Sequence, residues 1–364
     1  MNRITLLIVL LIFFVGCKKK QPPQNCIEYI DSLEINLDGN KLKTVLIDLA
    51  QENNIRPYSL FYDEHLIVLN KKGSFYAFWL DCFERDKIYE SMLNTINFKK
   101  AFVAFDELYG VDSKNQTFKF DNITHKWINL SYDLPFYNSA PIYENKKYLC
   151  YSVCHGEFGG TVFFYNKSTE KITFVPATCV VSIMEFQDGG FYIVSNLAHL
   201  SGMSDIIKIE NPDLLYEFPD SLNNRDKWDE RFIYRPIIYS DTSIYNNQVI
   251  HIYDAWETLI TAGFRIKEET YFLTEKYIEF QPKTFLSKLI DDSLVFINTP
   301  DTIFSSLPAS HGEITRKLND KTVIDYTLFA DDPKEWKEVE HRNLLLTTFI
   351  ITDSTLIRLN WENR

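Results

Sequence analysis

The sequence lacks the clusters of lysine and arginine that bind nucleic acid, and it has few of the glycine and proline residues that are common in disordered chains. Beyond Lys18-Lys19-Lys20 there is no block of basic residues, and the formal net charge is −12 at pH 7. Because a nucleic-acid surface needs clustered lysine and arginine, we expect no nucleic-acid partner. Glycine and proline are also sparse, with 12 and 13 residues among 364, while 45% of the residues are hydrophobic. This composition indicates a chain that folds around a core.

Familiar catalytic and metal-binding signatures are missing as well. The sequence has no phosphate loop, nucleophile elbow, EF-hand, dinucleotide fingerprint or His-Glu-x-x-His spacing. The six cysteines show neither a zinc-ribbon spacing nor Cys-x-x-Cys. We therefore expect no metal and no cofactor, and assign no catalytic residue. The sequence leaves enzymatic activity open and favours a protein that acts by binding.

What the sequence has in abundance is aromatic residues. Phenylalanine occurs 28 times and tyrosine 21 times, and aromatic residues make up 15% of the chain. Aromatic and β-branched residues fit the pleated surface of a sheet. The composition therefore favours an all-β protein.

The first 17 residues have the pattern of an export signal. A basic start, Met1-Asn2-Arg3, precedes an apolar run from Ile4 to Val15 that only Thr5 interrupts. A membrane-spanning helix needs about 20 apolar residues, whereas the core of a signal peptide needs roughly 7–15. The length of the run therefore favours a cleaved signal, and an uncleaved anchor is the alternative.

The end of this run resembles the lipobox of bacterial lipoproteins. Phe14-Val15-Gly16-Cys17 matches it except that Phe14 replaces the usual leucine. The resemblance implies removal of a signal peptide, residues 1–16, and lipidation of Cys17, with fatty acyl chains such as palmitate. Residues 17–29 would form a lipidated tether, held in the cell membrane or the outer membrane of the envelope through Cys17. Lys18-Lys19-Lys20 stand where surface-displayed lipoproteins carry acidic residues, which favours the periplasmic side.

From Tyr58 onward one pattern recurs: an apolar residue, a tight polar turn, an apolar strand, a second turn and another strand. The units begin at seven residues, namely Tyr62, Phe105, Tyr143, Phe186, Tyr245, Ile290 and Ile351. Four of the six spacings lie near the period of about 40–50 residues that marks four-stranded propeller blades. We expect residues 30–364 to form a single β-propeller with six or seven four-stranded blades and short helical insertions. A pair of β-sandwiches is the alternative. With its lipobox, the chain resembles lipid-anchored propeller proteins of Bacteroidota.

Some segments depart from the repeat. Leu42, Val45, Leu46 and Leu49 have helical spacing, which predicts a short helix within 42–53. Residues 84–97 also show helical spacing, where the first unit should have an outer strand, and Asp332-Pro333 predicts a helix start. Closing a propeller removes its exposed sheet edges, so we expect the strand at 32–37 to complete the last sheet.

Five cysteines remain if Cys17 is lipidated. Their odd number predicts at least one free thiol, unless two chains pair. Cys150 and Cys154 lie in one predicted strand, too far apart to bridge each other. We expect these five cysteines to behave as small buried hydrophobic residues.

Candidate binding residues cluster in four segments, 154–161, 195–205, 254–259 and 306–315, which we expect to converge on one face of the propeller. Two matching triplets, His155-Gly156-Glu157 and His311-Gly312-Glu313, could place a histidine and a carboxylate on the same side of an extended chain, although glycine marks a turn. We interpret His251 as a residue of a sheet whose side chain has its hydrogen-bond partners within the fold. The candidates are His155, Glu157, His199, Asp254, Trp256, Glu257, His311 and Glu313.

The acidic and aromatic content of these segments suits a polar partner, either a protein or a glycan. The sequence therefore predicts a lipid-anchored binding protein of the cell envelope. Two alternatives stay open, a carbohydrate-active propeller hydrolase or lyase, and an immunity lipoprotein that neutralises a secreted toxin.

Overall fold

The structure is a computed structural model of the chain. It describes residues 32–37, 39–49, 55–70, 72–131, 134, 140–154, 156, 159–186, 189–197, 202–218, 248–256, 258–278, 281–291, 293–297, 314–318, 321–329 and 344–361.

About two thirds of the structure is β-strand. In chain order the strands are β1 (Ser32–Leu37), β2 (Asn40–Asp48), β3 (Ile55–Tyr62), β4 (His65–Asn70), β5 (Phe75–Trp79), β6 (Lys100–Ala104), β7 (Glu107–Val111), β8 (Thr117–Asp121), β9 (Lys126–Asn129), β10 (Pro141–Glu144), β11 (Tyr148–Cys154), β12 (Gly160–Asn166), β13 (Ile172–Pro176), β14 (Val180–Glu185), β15 (Phe191–Leu197), β16 (Met203–Ile209), β17 (Tyr216–Glu217), β18 (Val249–Trp256), β19 (Thr258–Ile266), β20 (Glu269–Ile278), β21 (Gln281–Ile290), β22 (Ser293–Ile297), β23 (Ile314–Leu318), β24 (Lys321–Phe329), β25 (Leu344–Ile351) and β26 (Thr355–Asn360). An α-helix, α1, spans Lys87–Leu93, and a 3₁₀ turn spans Pro212–Leu214.

These strands form six small antiparallel sheets arranged in a ring, which is the architecture of a six-bladed β-propeller. The blades are β3–β5, β6–β9, β10–β13, β14–β16 with β18, β19–β22, and β23–β26. The expected all-β propeller is confirmed, and the sandwich alternative is wrong. At the centre, Tyr143 of the third blade pairs in parallel with Lys317 of the sixth, so the innermost strands of opposite blades meet.

The ring closes with the first described strands. Strand β2 pairs in parallel with β26, and β1 pairs with the outer side of β2. The prediction that residues 32–37 complete the last sheet is therefore confirmed. A second connection links neighbouring blades. Strand β17, which lies between β16 and β18 in the chain, pairs with β13 at the edge of the third blade, while β16 and β18 pair with each other in the fourth.

The apolar core is divided among the junctions between blades. Among the residues that the structure describes, six clusters of buried hydrophobic residues occur, one between each pair of neighbouring blades, and each mixes residues from both sheets. Phe164 and Phe191, both fully buried, meet in this way between the third and fourth blades, with ring centroids 5.3 Å apart. Aromatic pairs of this kind bury a large apolar area and fix the relative position of the sheets.

The first blade replaces its outer strand with α1, as the spacing in residues 84–97 predicts. The Asp86 carboxylate caps the helix by accepting hydrogen bonds from the Ile88 and Tyr89 amides, at 3.0 and 2.9 Å. Tyr89 stacks on His65 with centroids 4.2 Å apart, which attaches the helix to β4. The helix start predicted at Asp332-Pro333 lies outside the described residues.

The helix predicted within 42–53 is wrong, because residues 40–48 form strand β2. Leu46, which the helical pattern placed on an apolar face, is 41% exposed, whereas Leu42 and Ile47 are buried. Parallel pairing with β26 supplies hydrogen bonds that an isolated segment lacks, and this tertiary contact overrides the local spacing.

The expectation that the five cysteines are simply buried hydrophobic residues is wrong for one pair. Cys154, at the end of β11, forms a disulfide with Cys179, with Cα atoms 4.5 Å apart. Cys82 and Cys150 are buried, as expected. Cys17 and Cys26 lie outside the described residues.

Candidate functional site

The two faces of the propeller carry different connections. One face holds the turns between the first and second strands and between the third and fourth strands of each blade, and we name it the turn face. The opposite face, which we name the loop face, holds the connections between second and third strands and the links between blades.

The turn face carries a pocket of about 660 Å³ to which four successive blades contribute. This volume lies within the roughly 300–1,000 Å³ typical of ligand sites. Its lining residues are Phe61, Tyr62, Asp63, Val103, Asp106, Asn122, Tyr143, Glu144, Asn145, Lys146, Lys167 and Glu185.

An ion pair forms one part of the pocket floor. Glu144, the last residue of β10, accepts a hydrogen bond from Lys167 Nζ, and its oxygens also accept from the Phe105 amide at 2.9 and 3.1 Å. Only 16% of the Glu144 side chain is exposed. Burial raises the pKa of Glu144, and Lys167 opposes this shift.

A second hydrogen-bonded group continues the floor toward the fourth blade. The Tyr143 hydroxyl donates to Glu185, which also accepts from Asn145 Nδ2 at 3.1 Å. Burial, together with the bond to Glu185, raises the pKa of Tyr143, so its hydroxyl stays protonated and is a fixed donor. The floor is thus a set of polar groups whose positions are fixed by one another.

The rim of the pocket is formed by exposed polar side chains, namely those of Asp63, Asp106, Asn122 and Lys146. They offer acceptors on the two carboxylates, a donor on the lysine, and both on the amide. Because the lining holds four carboxylates against two lysines, the pocket has a surplus of negative charge. Among the described residues, no group of three or more His, Cys, Asp or Glu side chains is placed to hold a metal ion. The arrangement is suited to a ligand rich in hydroxyl groups.

The structure places two of the eight candidate residues from the sequence. Asp254 and Trp256 lie near the end of β18, on the loop face, and Trp256 is 68% exposed. Asp254 pairs in register with Asp205, whose carboxylate lies 3.3 Å from His251 Nδ1. The interpretation of His251 as a sheet residue agrees with its position in β18, although its side chain is about half exposed.

The other candidates lie outside the described residues: His155, Glu157, His199, Glu257, His311, Glu313, and the lipidation site Cys17. Their roles stay predictions.

The pocket residues were not identified from the sequence, although a signal for them exists. An aromatic residue followed by an acidic one begins three of the repeating units, as Tyr62-Asp63, Phe105-Asp106 and Tyr143-Glu144. The sequence pattern alone predicts only turns at these residues. Equivalent positions in successive blades meet at one face, so the repeated acidic residue marks the pocket.

No protein-family profile and no curated protein matches this chain. Solved structures with a similar arrangement include an oligogalacturonate lyase in complex with manganese, 10% identical, covering 88% of this chain and 80% of that one, with a TM-score of 0.42. Another is the hydrazine synthase of Kuenenia stuttgartiensis, 9% identical, covering 89% of this chain and 84% of that one, with a TM-score of 0.40. At these values the similarities carry no argument about ligand or activity.

In the part of the chain that the structure describes, no helix has the length and apolarity to cross a membrane.

Proposed function

We propose that this protein is a lipid-anchored binding protein of the bacterial cell envelope that takes a glycan in the turn-face pocket. The observation that carries the proposal is the pocket itself, in which charged, polar and apolar side chains from four blades line one concave site. This site differs from the one expected from the sequence, since it lies on the turn face.

The chemistry of the lining favours a glycan over a protein partner. Protein interfaces of ordinary size are broad surfaces with an apolar centre, whereas this pocket is concave and its floor is a network of charged and polar groups. Sugar hydroxyls donate and accept hydrogen bonds, and the rim provides partners for both, with Asp106 as an acceptor and Lys146 as a donor.

The proposed location follows from the first 17 residues and agrees with the disulfide. A lipid on Cys17 would anchor the propeller through the tether at residues 17–29, facing the periplasm. The Cys154–Cys179 disulfide supports this location, because such bonds persist in oxidising compartments and are rare in the cytosol.

The binding test uses Lys146→Ala, which removes a rim donor without disturbing a buried group. We expect the variant to bind neutral oligosaccharides about tenfold more weakly than wild type, measured by calorimetric titration. Lys114→Ala is the matched control, since Lys114 is an exposed lysine in a hairpin turn on the loop face. Equal affinity of the two variants, or no glycan binding by wild type, would contradict the proposal.

The anchoring test uses Cys17→Ser in the full chain. We expect wild-type protein in the membrane fraction and the variant in the soluble envelope fraction, because the variant lacks the acceptor for lipid. Retention of the variant in the membrane fraction would overturn the lipid anchor.

A carbohydrate-active hydrolase or lyase is the second candidate function. The observation that favours it is Glu144, a pocket carboxyl whose pKa is raised by burial, as in the general acids of glycosidases. Incubation with the bound oligosaccharide distinguishes the two candidates. Shortened products that disappear with Glu144→Gln would indicate an enzyme, and intact oligosaccharide would indicate a binding protein.

A further inference from the structure

We infer that the turn-face pocket continues into a second cavity, and that the two together bind an extended, uncharged glycan chain. This inference rests on the proposed function and deepens it, because it assigns a second subsite and a class of ligand. The second cavity measures about 630 Å³ and is lined by Phe186, Tyr192, Arg265, Glu268, Glu269, Thr270, Lys288, Leu289, Ile290 and Asp291.

The second cavity lies on the same face as the first. Glu268 belongs to the turn between β19 and β20, and Asp291 to the turn between β21 and β22. Both turns connect strands at the turn face, in the fifth blade. The first pocket takes residues from the first four blades, so the two cavities follow one another around the ring.

The linings of the two cavities meet at Glu185, which lines the first, and its chain neighbour Phe186, which lines the second. Arg265, which lines the second cavity, donates from Nη1 to the backbone oxygen of Glu185 at 2.6 Å. Glu185 lines the first pocket. Arg265 Nη2 also contacts Glu268 Oε2 at 3.2 Å, which fixes the guanidinium at this boundary. A ligand that passes over Arg265 would therefore contact both cavities.

The second cavity combines an aromatic surface with charged groups. Phe186 and Tyr192 are half-buried and lie with their ring centroids 4.7 Å apart. Lys288 pairs with Glu269 at 2.7 Å, while the exposed side chains of Glu268 and Asp291 stand at the cavity's edge. Aromatic rings offer an apolar surface to the carbon-bound hydrogens of a sugar ring, and carboxylates accept from its hydroxyls.

The charges decide which glycans fit. The second cavity holds three carboxylates against two cations, and the first holds four against two. Both cavities thus have a surplus of negative charge in a chain whose net charge is −12. A chain of uronic acids would be repelled along its whole length, whereas an uncharged chain would not. Two adjacent cavities also predict that affinity increases with chain length.

The experiment compares uncharged oligosaccharides of increasing length, from the disaccharide to the hexasaccharide of glucose, xylose and mannose series. We expect wild type to bind the longer members more tightly. Tyr192→Leu should weaken binding of the hexasaccharide by about tenfold and leave the disaccharide unchanged, because the disaccharide occupies only the first pocket. Lys146→Ala should weaken both.

Tyr253→Leu is the matched control. Tyr253 and Tyr192 are both half-buried against the same apolar cluster, but Tyr253 lies in β18, outside the residues that line either cavity. We expect this control to keep the wild-type dependence on length. If Tyr192→Leu does not fold, Glu268→Gln tests the same cavity, since 71% of the Glu268 side chain is exposed and its loss spares the core.

The outcomes separate this inference from the proposed function. Binding that is independent of length, or that Tyr192→Leu and Glu268→Gln leave unchanged, overturns the second subsite and leaves the first pocket intact. No binding of any uncharged oligosaccharide overturns the proposed function itself. Tighter binding of an oligogalacturonide or of a lysine-rich peptide overturns the assignment to uncharged glycans.

Discussion

Substitution of Asp325 tests whether a buried polar network holds the ring closed. Asp325, in β24, is fully buried at the junction between the sixth and first blades. Its carboxylate accepts from the Ser59 amide at 2.9 Å, the Ser59 hydroxyl at 2.8 Å and the Thr348 hydroxyl at 2.6 Å. The Thr348 hydroxyl in turn accepts from Trp361 Nε1 at 2.9 Å. Removing the carboxylate therefore affects both blades.

The magnitude follows from the donors that lose their acceptor. Asp325→Ala leaves three buried donors, and each orphaned donor costs about 1–3 kcal/mol. The Ser59 and Thr348 hydroxyls lie 3.2 Å apart, so one can donate to the other and two donors stay unpaired. We therefore expect the free energy of unfolding to fall by roughly 4 kcal/mol, a large part of the about 5–15 kcal/mol of an ordinary domain.

Denaturation in urea, followed by tryptophan fluorescence, measures this loss. Asp353→Ala is the control, because Asp353 also connects neighbouring blades, through the Lys267 amide at 2.6 Å, but is exposed. We expect the control to lose less than about 1 kcal/mol. If Asp325→Ala were no less stable than Asp353→Ala, the closure would not depend on this network, and pairing of β2 with β26 would suffice.

Two further predictions concern the disulfide and the pocket. Replacing both Cys154 and Cys179 with serine should lower the free energy of unfolding by about 3 kcal/mol, because the disulfide closes a loop with a separation of 25 residues. Reductant should remove the difference in urea midpoint between wild type and variant. A difference that persists in reductant would contradict this prediction. The raised pKa of Glu144 means that its contribution to stability is present below its ordinary pKa and is lost as pH rises through the raised value. As pH rises from about 4, the free energy of unfolding of wild type should therefore fall relative to that of Glu144→Gln. A difference between the two proteins that is constant with pH would contradict the raised pKa.

The sequence predicts the kind of fold because each blade repeats a local pattern, but it does not fix the number of blades. The units at Tyr62, Phe105, Tyr143 and Phe186 each mark the first turn of a blade. The units at Ile290 and Ile351 mark third turns, and the unit at Tyr245 precedes the fourth strand of the fourth blade. A polar turn between two apolar strands looks the same in either position. Seven units therefore correspond to six blades.

The site was harder to predict because it depends on contacts between distant residues. Glu144 and Phe105 are 39 residues apart, and Arg265 and Glu185 are 80 apart. Only the closed ring brings these residues together. The Cys154–Cys179 pair is similar, since five cysteines allow several pairings and the fold selects this one.

The turns at the pocket show how local conformation serves this arrangement. Asp63, Glu64, Phe105 and Asp106 have φ angles of 47°, 64°, 52° and 58°, in the left-handed region that glycine adopts most readily. A residue with a side chain costs about 1–2 kcal/mol there, less for aspartate. This conformation forms the two-residue turn in which the Phe105 amide reaches both oxygens of Glu144. Glycines would form the same turns at lower cost but would remove both rim carboxylates. The two turns therefore carry rim carboxylates at a conformational cost, which is consistent with the proposed binding role of the pocket.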